Sequence, residues 1–220
     1  MDADRRTVLL RISAAIALFV GAGGYLSWTL MADTKSNRLI ERPASVEIKR
    51  AVNGHTVKFE PDGKLTYAGI RAPYDTEPYF EEARARNNEL VKGKEIRVRF
   101  DGTPPEREDR IVAWAFVDDR LVNEILVRDG LAYVRLTPDQ QRFASQLLEA
   151  QAEARSDELG IWSIQPGAIE SEYPADPKHG NLHRPRCEES QKINASRRIV
   201  LASRSEAFER GFAPCNRCQP

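Results

Sequence analysis

The sequence predicts an α+β fold: a small barrel of five short strands with helices packed against it. Three observations carry that expectation. Apolar and polar residues alternate in short runs, as at His55, Val57 and Phe59 and again at Ile96, Val98 and Phe100. Elsewhere the apolar spacing turns helical, as at Leu121, Val122, Ile125 and Leu126. Gly130 then stops that helix, as a residue free to turn left-handed should, and the apolar run Leu131 to Val134 follows at once.

Composition sets the bounds. A chain of 220 residues makes one or two small domains. Its 33 Lys and Arg balance 33 Asp and Glu, so no overall field draws it to nucleic acid or anionic lipid. The 3 cysteines are an odd number, all after residue 186, which argues against a disulfide scaffold and leaves room for one metal or redox site.

Arg5, Arg6 and Arg11 precede an uncharged apolar run, residues 12–31. That length suits a transmembrane helix, and the arginines favour a cytoplasmic N-terminus. An uncleaved anchor fits the length. The alternative is a cleaved signal, for which Leu30-Met31-Ala32 is a mediocre site. Either reading places the bulk of the chain outside the cytoplasm, as a single-pass inner-membrane protein facing the periplasm or exterior, or as a secreted one. Residues 33–44, polar and containing Pro43, read as a linker.

Strands begin at Val46. Pro61-Asp62-Gly63 marks a turn, and Leu65 to Ile70 reads as a third strand broken by Pro73. Thr76 caps a helix expected to run to about Val91, with Glu77 and Glu81 near its positive end. After the strand at 96–100 comes a Pro-rich loop, then a strand from Arg110 to Val117 and the helix at 121–129. Thr137-Pro138 opens a last helix expected to reach about Leu159. Strands of this length curling into a barrel make an OB-like fold.

The helix-Gly-strand unit resembles the heart of the staphylococcal nuclease (thermonuclease) family. GHTVKF at 54–59, YAGIRAP at 67–73, DRIVAWAF at 109–116 and LGIWS at 159–163 fall in the family's order. The resemblance covers roughly residues 45–163 and implies a domain at 45–164. It implies a nuclease in which carboxylates hold calcium, another carboxylate acts on the attacking water, and two arginines neutralise the phosphate. Here Asn53 and His55 replace the acids of the first motif. Thr66 stands at an arginine, Arg71 at an aspartate and Tyr74 at the glutamate base, and Arg110 alone keeps its family identity. Calcium is therefore not expected. Asp75-Thr76-Glu77-Pro78 could supply displaced acids, with Glu60 and Asp62 also near, although turn and cap roles account for them. His55 could ligate a transition metal or serve as a strand residue. Arg71 and Arg110 could share an anion, or Arg110 could make a surface ion pair.

Pro166 to Lys178 reads as part of a second linker, 165–178, before a compact tail at 179–220. In the tail, His183-x3-Cys187 and Cys215-x2-Cys218 supply four ligands, a set that suits tetrahedral zinc. His179 is an alternate fourth ligand, and a Cys215–Cys218 disulfide is the competing arrangement. The tail is similar to the zinc-binding domain of the Ada methylation-response protein, with His183 in place of the methyl-accepting cysteine. The resemblance thus implies zinc and no methyl transfer. Residues 181–220 carry eight Lys and Arg against four Asp and Glu.

These readings converge on a membrane-tethered, extracytoplasmic thermonuclease-like protein without the family's acids, binding nucleic acid or another anionic polymer. Two alternatives stay open. One is an active phosphodiesterase with rearranged ligands. The other is an accessory role in envelope exopolysaccharide (succinoglycan-type) biosynthesis, which rests on a looser likeness to thermonuclease-like proteins in such gene clusters.

Overall fold

A computed structural model describes residues 45–101, 110–165 and 167–220. The expected membrane span at 12–31 and the linker at 33–44 lie outside the described residues. Among the described residues, no helix is long and apolar enough to cross a membrane.

The alternating segments form the strands their periodicity predicts. β1 (Ser45–Asn53), β2 (Thr56–Phe59) and β3 (Gly63–Tyr67) make an antiparallel meander. β5 (Glu95–Arg99) pairs with β1 on one side and with β6 (Arg110–Val117) on the other. β3 then pairs in parallel with β6, from Lys64 opposite Arg110 to Tyr67 opposite Ala113. That last pairing closes five strands into a barrel, and β7 (Arg120–Leu121) extends the far edge. Val57, Leu65, Ile96 and Ala115 fill the inside with no measurable exposure.

Three helices cover the barrel. α1 (Phe80–Val91) starts four residues later than Thr76, because Tyr79 takes a left-handed conformation, φ 65°, at its entry. α2 (Val122–Arg128) ends where expected, with Gly130 at φ 68°. A Cβ at Gly130 would sit 2.3 Å from the Leu159 carbonyl oxygen, so the close approach of residue 159 also demands glycine. α3 (Ala144–Ser156) is shorter than the helix expected from Pro138; residues 138–143 form turns. Short strands β4 (Ile70–Arg71) and β8 (Tyr133–Val134) pair across the helical side. Asn123, fully buried, ties these layers: it accepts the Ala115 N–H at 3.1 Å and donates to the Ala68 carbonyl at 2.7 Å.

The C-terminal segment builds its own four-stranded sheet, ordered β11-β9-β10-β12, from β9 (Tyr173–Asp176), β10 (Asn181–Leu182), β11 (Ile199–Leu201) and β12 (Ala213–Pro214). Two short helices, α4 (Glu188–Gln191) and α5 (Arg204–Glu209), complete it. The stretch read as a linker, 165–178, thus contains a strand, all four of whose residues are buried. Its Pro, Ala and Asp content hid it from pattern reading. The segment is also not separate from the barrel: the described residues fall in one compact unit. Tyr133, Trp162 and Phe208 cluster at the joint with ring centroids 5.0–6.0 Å apart. Gln151 bridges it, accepting the Val134 N–H and donating to the Phe208 carbonyl, both at 2.8 Å.

Candidate functional site

The motif positions of the barrel gather where the β1–β2 turn meets β4 and α1. Gly54 makes that meeting possible, since a Cβ there would lie 2.5 Å from that of Ala72 and 2.7 Å from that of Ala83. Asn53 turns its side chain to the backbone, its Oδ1 accepting the His55 N–H at 2.9 Å. Its carbonyl accepts from Asn87 Nδ2 at 2.8 Å, and Asn87 in turn accepts the Tyr67 hydroxyl at 2.8 Å. His55 is buried, with Nδ1 accepting the Ala72 N–H at 3.2 Å. Burial, reinforced by the Arg135 and Arg71 charges, pushes its pKa down to about 3, so the imidazole is neutral near pH 7. One ring nitrogen is therefore spent on the backbone.

Arg71 is the centre of this region. Only 2% of it is exposed. Nη1 and Nη2 grip the Glu77 carboxylate at 2.6 and 2.9 Å, a bidentate pair. Nε and Nη2 also donate to the Pro214 carbonyl in the C-terminal segment, at 3.1 and 2.8 Å. The rings of Tyr74 and Tyr133 lie 5.0 and 5.2 Å from its guanidinium carbon. Glu77 additionally accepts the Tyr74 N–H at 3.0 Å. The arrangement corrects the notion of Arg71 and Arg110 sharing an anion: Arg71 is fully engaged, while Arg110 is exposed at the start of β6, opposite Lys64. Thr66 faces Thr56, with hydroxyls 3.4 Å apart.

A hard cation needs several oxygen ligands. Positions 53, 55, 71 and 74 supply Asn, His, Arg and Tyr, and the nearby carboxylate, Glu77, is held by a guanidinium. Arg135 is a further cation here that pattern reading missed. It follows Tyr133 and Val134 on the strand side, its Nε has no hydrogen-bond partner, and burial lowers its pKa. A charge directly after an apolar strand is a weak signal in the sequence.

The second cluster is in the C-terminal segment. His183, Cys187, Cys215 and Cys218 come together, one ligand atom from each lying within 4.8 Å of all the others. The fold explains the convergence: β10 and β12 are parallel neighbours, so His183 and Cys215, the residues following each, emerge side by side. All three cysteines are free, without a disulfide. His183 Nδ1 is buried and has no hydrogen-bond partner. The Arg184 N–H points at Cys218 Sγ, 3.3 Å away. The hydrogen bond with Cys218 holds the Cys215 thiol well below the usual thiol range, against the cost of burial and with help from His183; the same bond pushes Cys218 up. A buried imidazole grouped with three thiols is a donor set that fits a soft or borderline cation: bonds of about 2.3 Å to tetrahedral corners set sulfur atoms roughly 3.8 Å apart. His179 is not part of this group. It is exposed, and its Nδ1 lies 2.7 Å from Asp176 Oδ2.

With this geometry in view, comparison with known proteins finds similarity to the staphylococcal nuclease family. A family model described as staphylococcal nuclease homologue matches residues 64–164. "Endonuclease YncB" of Bacillus subtilis is 31% identical over 143 residues, covering 60% of this chain and 68% of that protein. The "SPbeta prophage-derived endonuclease YokF" of the same organism is 33% identical over 129 residues, 54% of this chain and 44% of its own length. The "Thermonuclease" of Staphylococcus intermedius is 25% identical over 130 residues, 55% and 77% of the two chains. The family match begins after Asn53 and His55, beyond the segment in which the first acids are missing.

Proposed function

This chain belongs to the staphylococcal nuclease family, and from that membership we propose that its barrel binds nucleic acid without the family's calcium-dependent cleavage. One observation carries the reading. At the position that the family resemblance assigns to a metal-holding aspartate, Arg71 is buried, bonded to Glu77 and covered by Pro214. A guanidinium stays charged at any physiological pH, so it repels a divalent cation at the seat it fills. Asn53, His55 and Tyr74 engage the backbone or one another and offer no carboxylate.

The second reading is a phosphodiesterase with rearranged ligands, and Glu77 favours it. This acid does reach the motif region, 6 residues beyond Arg71 in sequence. A calcium titration with DNA, using the purified full chain, separates the two. We expect binding without cleavage. Cleavage that depends on calcium and disappears in Glu77→Gln would establish the second reading.

The C-terminal cluster supports a bound zinc, held by His183, Cys187, Cys215 and Cys218. The ion would supply structural cross-linking, fastening β10 to β12 in a segment too small to hold a large core of its own. Residues 12–31 support an uncleaved membrane anchor, with the barrel and tail on the extracytoplasmic side. Reporter fusions after residue 40 test that topology, and activity inside the cytoplasm would reverse it.

A further inference from the structure

Strand register brings four cations into one row on the outside of the barrel. Arg50 on β1 lies opposite Lys58 on β2, Lys58 opposite Lys64 on β3, and Lys64 opposite Arg110 on β6. Arg50, Lys64 and Arg110 are exposed and Lys58 half-buried, while Val57, Phe59, Leu65 and Ile111 beside them point into the core. Adjacent strands lie about 4.8 Å apart, so the row runs about 14 Å around the barrel.

Like charges placed directly opposite one another destabilise a sheet. A row of four is therefore a cost unless something offsets it. None of the four makes an ion pair among the described residues. Other cations of the chain do find acids: Lys49 meets Glu60 at 2.8 Å, Arg97 meets Asp119 at 2.7 Å, and Arg142 meets Asp101 at 2.6 Å. Among the described residues the row is thus a local concentration of cations without acidic partners, on a chain whose net charge is zero. The next outward positions along the same strands carry the Thr56 and Thr66 hydroxyls, opposite each other, and Val112, which is 45% exposed and opposite Thr66. Hydroxyls beside cations suit phosphate oxygens, and a small apolar surface beside them suits a sugar or base.

We propose that Arg50, Lys58, Lys64 and Arg110 form a phosphate-binding ladder that seats a single strand of nucleic acid across β1, β2, β3 and β6. The proposal rests on the nucleic-acid reading above and assigns it a surface. That surface does not use the buried Arg71–Glu77 pair. The strand lies along the row, its phosphates meeting successive cations, with Thr56 and Thr66 as secondary donors.

The test is anisotropy of fluorescein-labelled oligothymidylate with the full chain over a salt series. Four phosphate contacts give a slope of log K against log salt of about −2.8, and each cation removed makes it less negative by about 0.7. Lys64→Gln and Arg50→Gln should each show that single step, and the triple variant with Lys58→Gln should lose about three steps. Thermal unfolding of the triple variant at low salt should be no lower than that of the parent, since the substitutions relieve repulsion. Binding that persists in the triple variant with an unchanged slope overturns the ladder while leaving nucleic-acid binding in place. No binding of oligothymidylate by the parent overturns both. A triple variant that keeps oligothymidylate but releases labelled alginate marks the row as a polysaccharide surface and overturns the assignment.

Discussion

Zinc removal should be felt inside the barrel, far from the cluster in sequence. Pro214, whose carbonyl receives two donors from Arg71, immediately precedes Cys215. The Leu136 N–H likewise donates to the Gly211 carbonyl at 2.8 Å. If a metal fixes His183 and Cys215 at the ends of β10 and β12, its loss frees the acceptor end of both contacts. A hydrogen bond from a charged donor contributes about 1.5–3 kcal/mol, and two donors sharing one acceptor contribute less than twice that, so we take about 3 kcal/mol. Local opening around Arg71 should then become about a hundredfold more frequent. The assay is hydrogen–deuterium exchange of the intact chain, zinc-loaded, chelated, and as Cys218→Ser. Peptides spanning 70–79 and 131–136 should exchange faster along with 179–220, while β5 and β6 stay protected. Full exchange of 179–220 with no change at 70–79 and 131–136 would refute the coupling. Unchanged exchange of 179–220 would refute the metal clasp itself.

Two further outcomes follow from single buried groups. The His55 pKa is about 3 in the folded chain, against about 6.5 unfolded. Above pH 6.5 neither state is charged and His55 adds no pH dependence. As the pH falls from 6.5 towards 3, the unfolded chain takes up a proton that the folded chain refuses, and stability drops by about 1.4 kcal/mol per pH unit. His55→Gln should abolish that share of the loss, about 2 kcal/mol at pH 5 in denaturant titrations; parallel curves for the two proteins would show that His55 is protonated when folded. Asn123→Ala leaves the Ala115 N–H and the Ala68 carbonyl unpaired in the core, and should cost about 2–5 kcal/mol at unchanged denaturant m-value.

Local rules made much of the fold legible. The stop at Gly130 depends on its own φ and on its neighbours, so the helix-Gly-strand unit could be read directly. The strands could be read because inward Val57, Leu65 and Ile96 alternate with polar residues. The cysteine cluster could be read because Cys-x2-Cys and His-x3-Cys each fix two donors within one turn of chain. What could not be read is set by distance along the chain. Nothing near Arg71 announces that its acceptor is Pro214, 143 residues away. β9 carries a proline and owes its strand to pairing with β10 and β11 on either side, which no local pattern encodes. The cationic row is invisible for the same reason, because each member is an ordinary surface residue until register sets them opposite one another. The starts of α1 and α3 were misplaced because Thr76 and Pro138 are good helix openers whose turns are claimed by other contacts: Glu77 by Arg71, and Gln140 by the Gly69 N–H at 2.8 Å.

The parallel seam between β3 and β6 has a kinetic consequence. β1, β2 and β3 are joined by tight turns and can form early. Lys64 and Arg110 meet across 110 − 64 = 46 positions of chain, and drawing such a loop closed costs about 3 kcal/mol of entropy that no local contact repays. The seam, like the equally long-range β1–β5 pairing, therefore forms after the local hairpins, so substitutions along it should accelerate unfolding and leave the folding rate nearly untouched. Lys64 and Arg110 stand on opposite lips of the seam. A polyanion spanning them would act as a suture, lengthening the lifetime of the closed barrel.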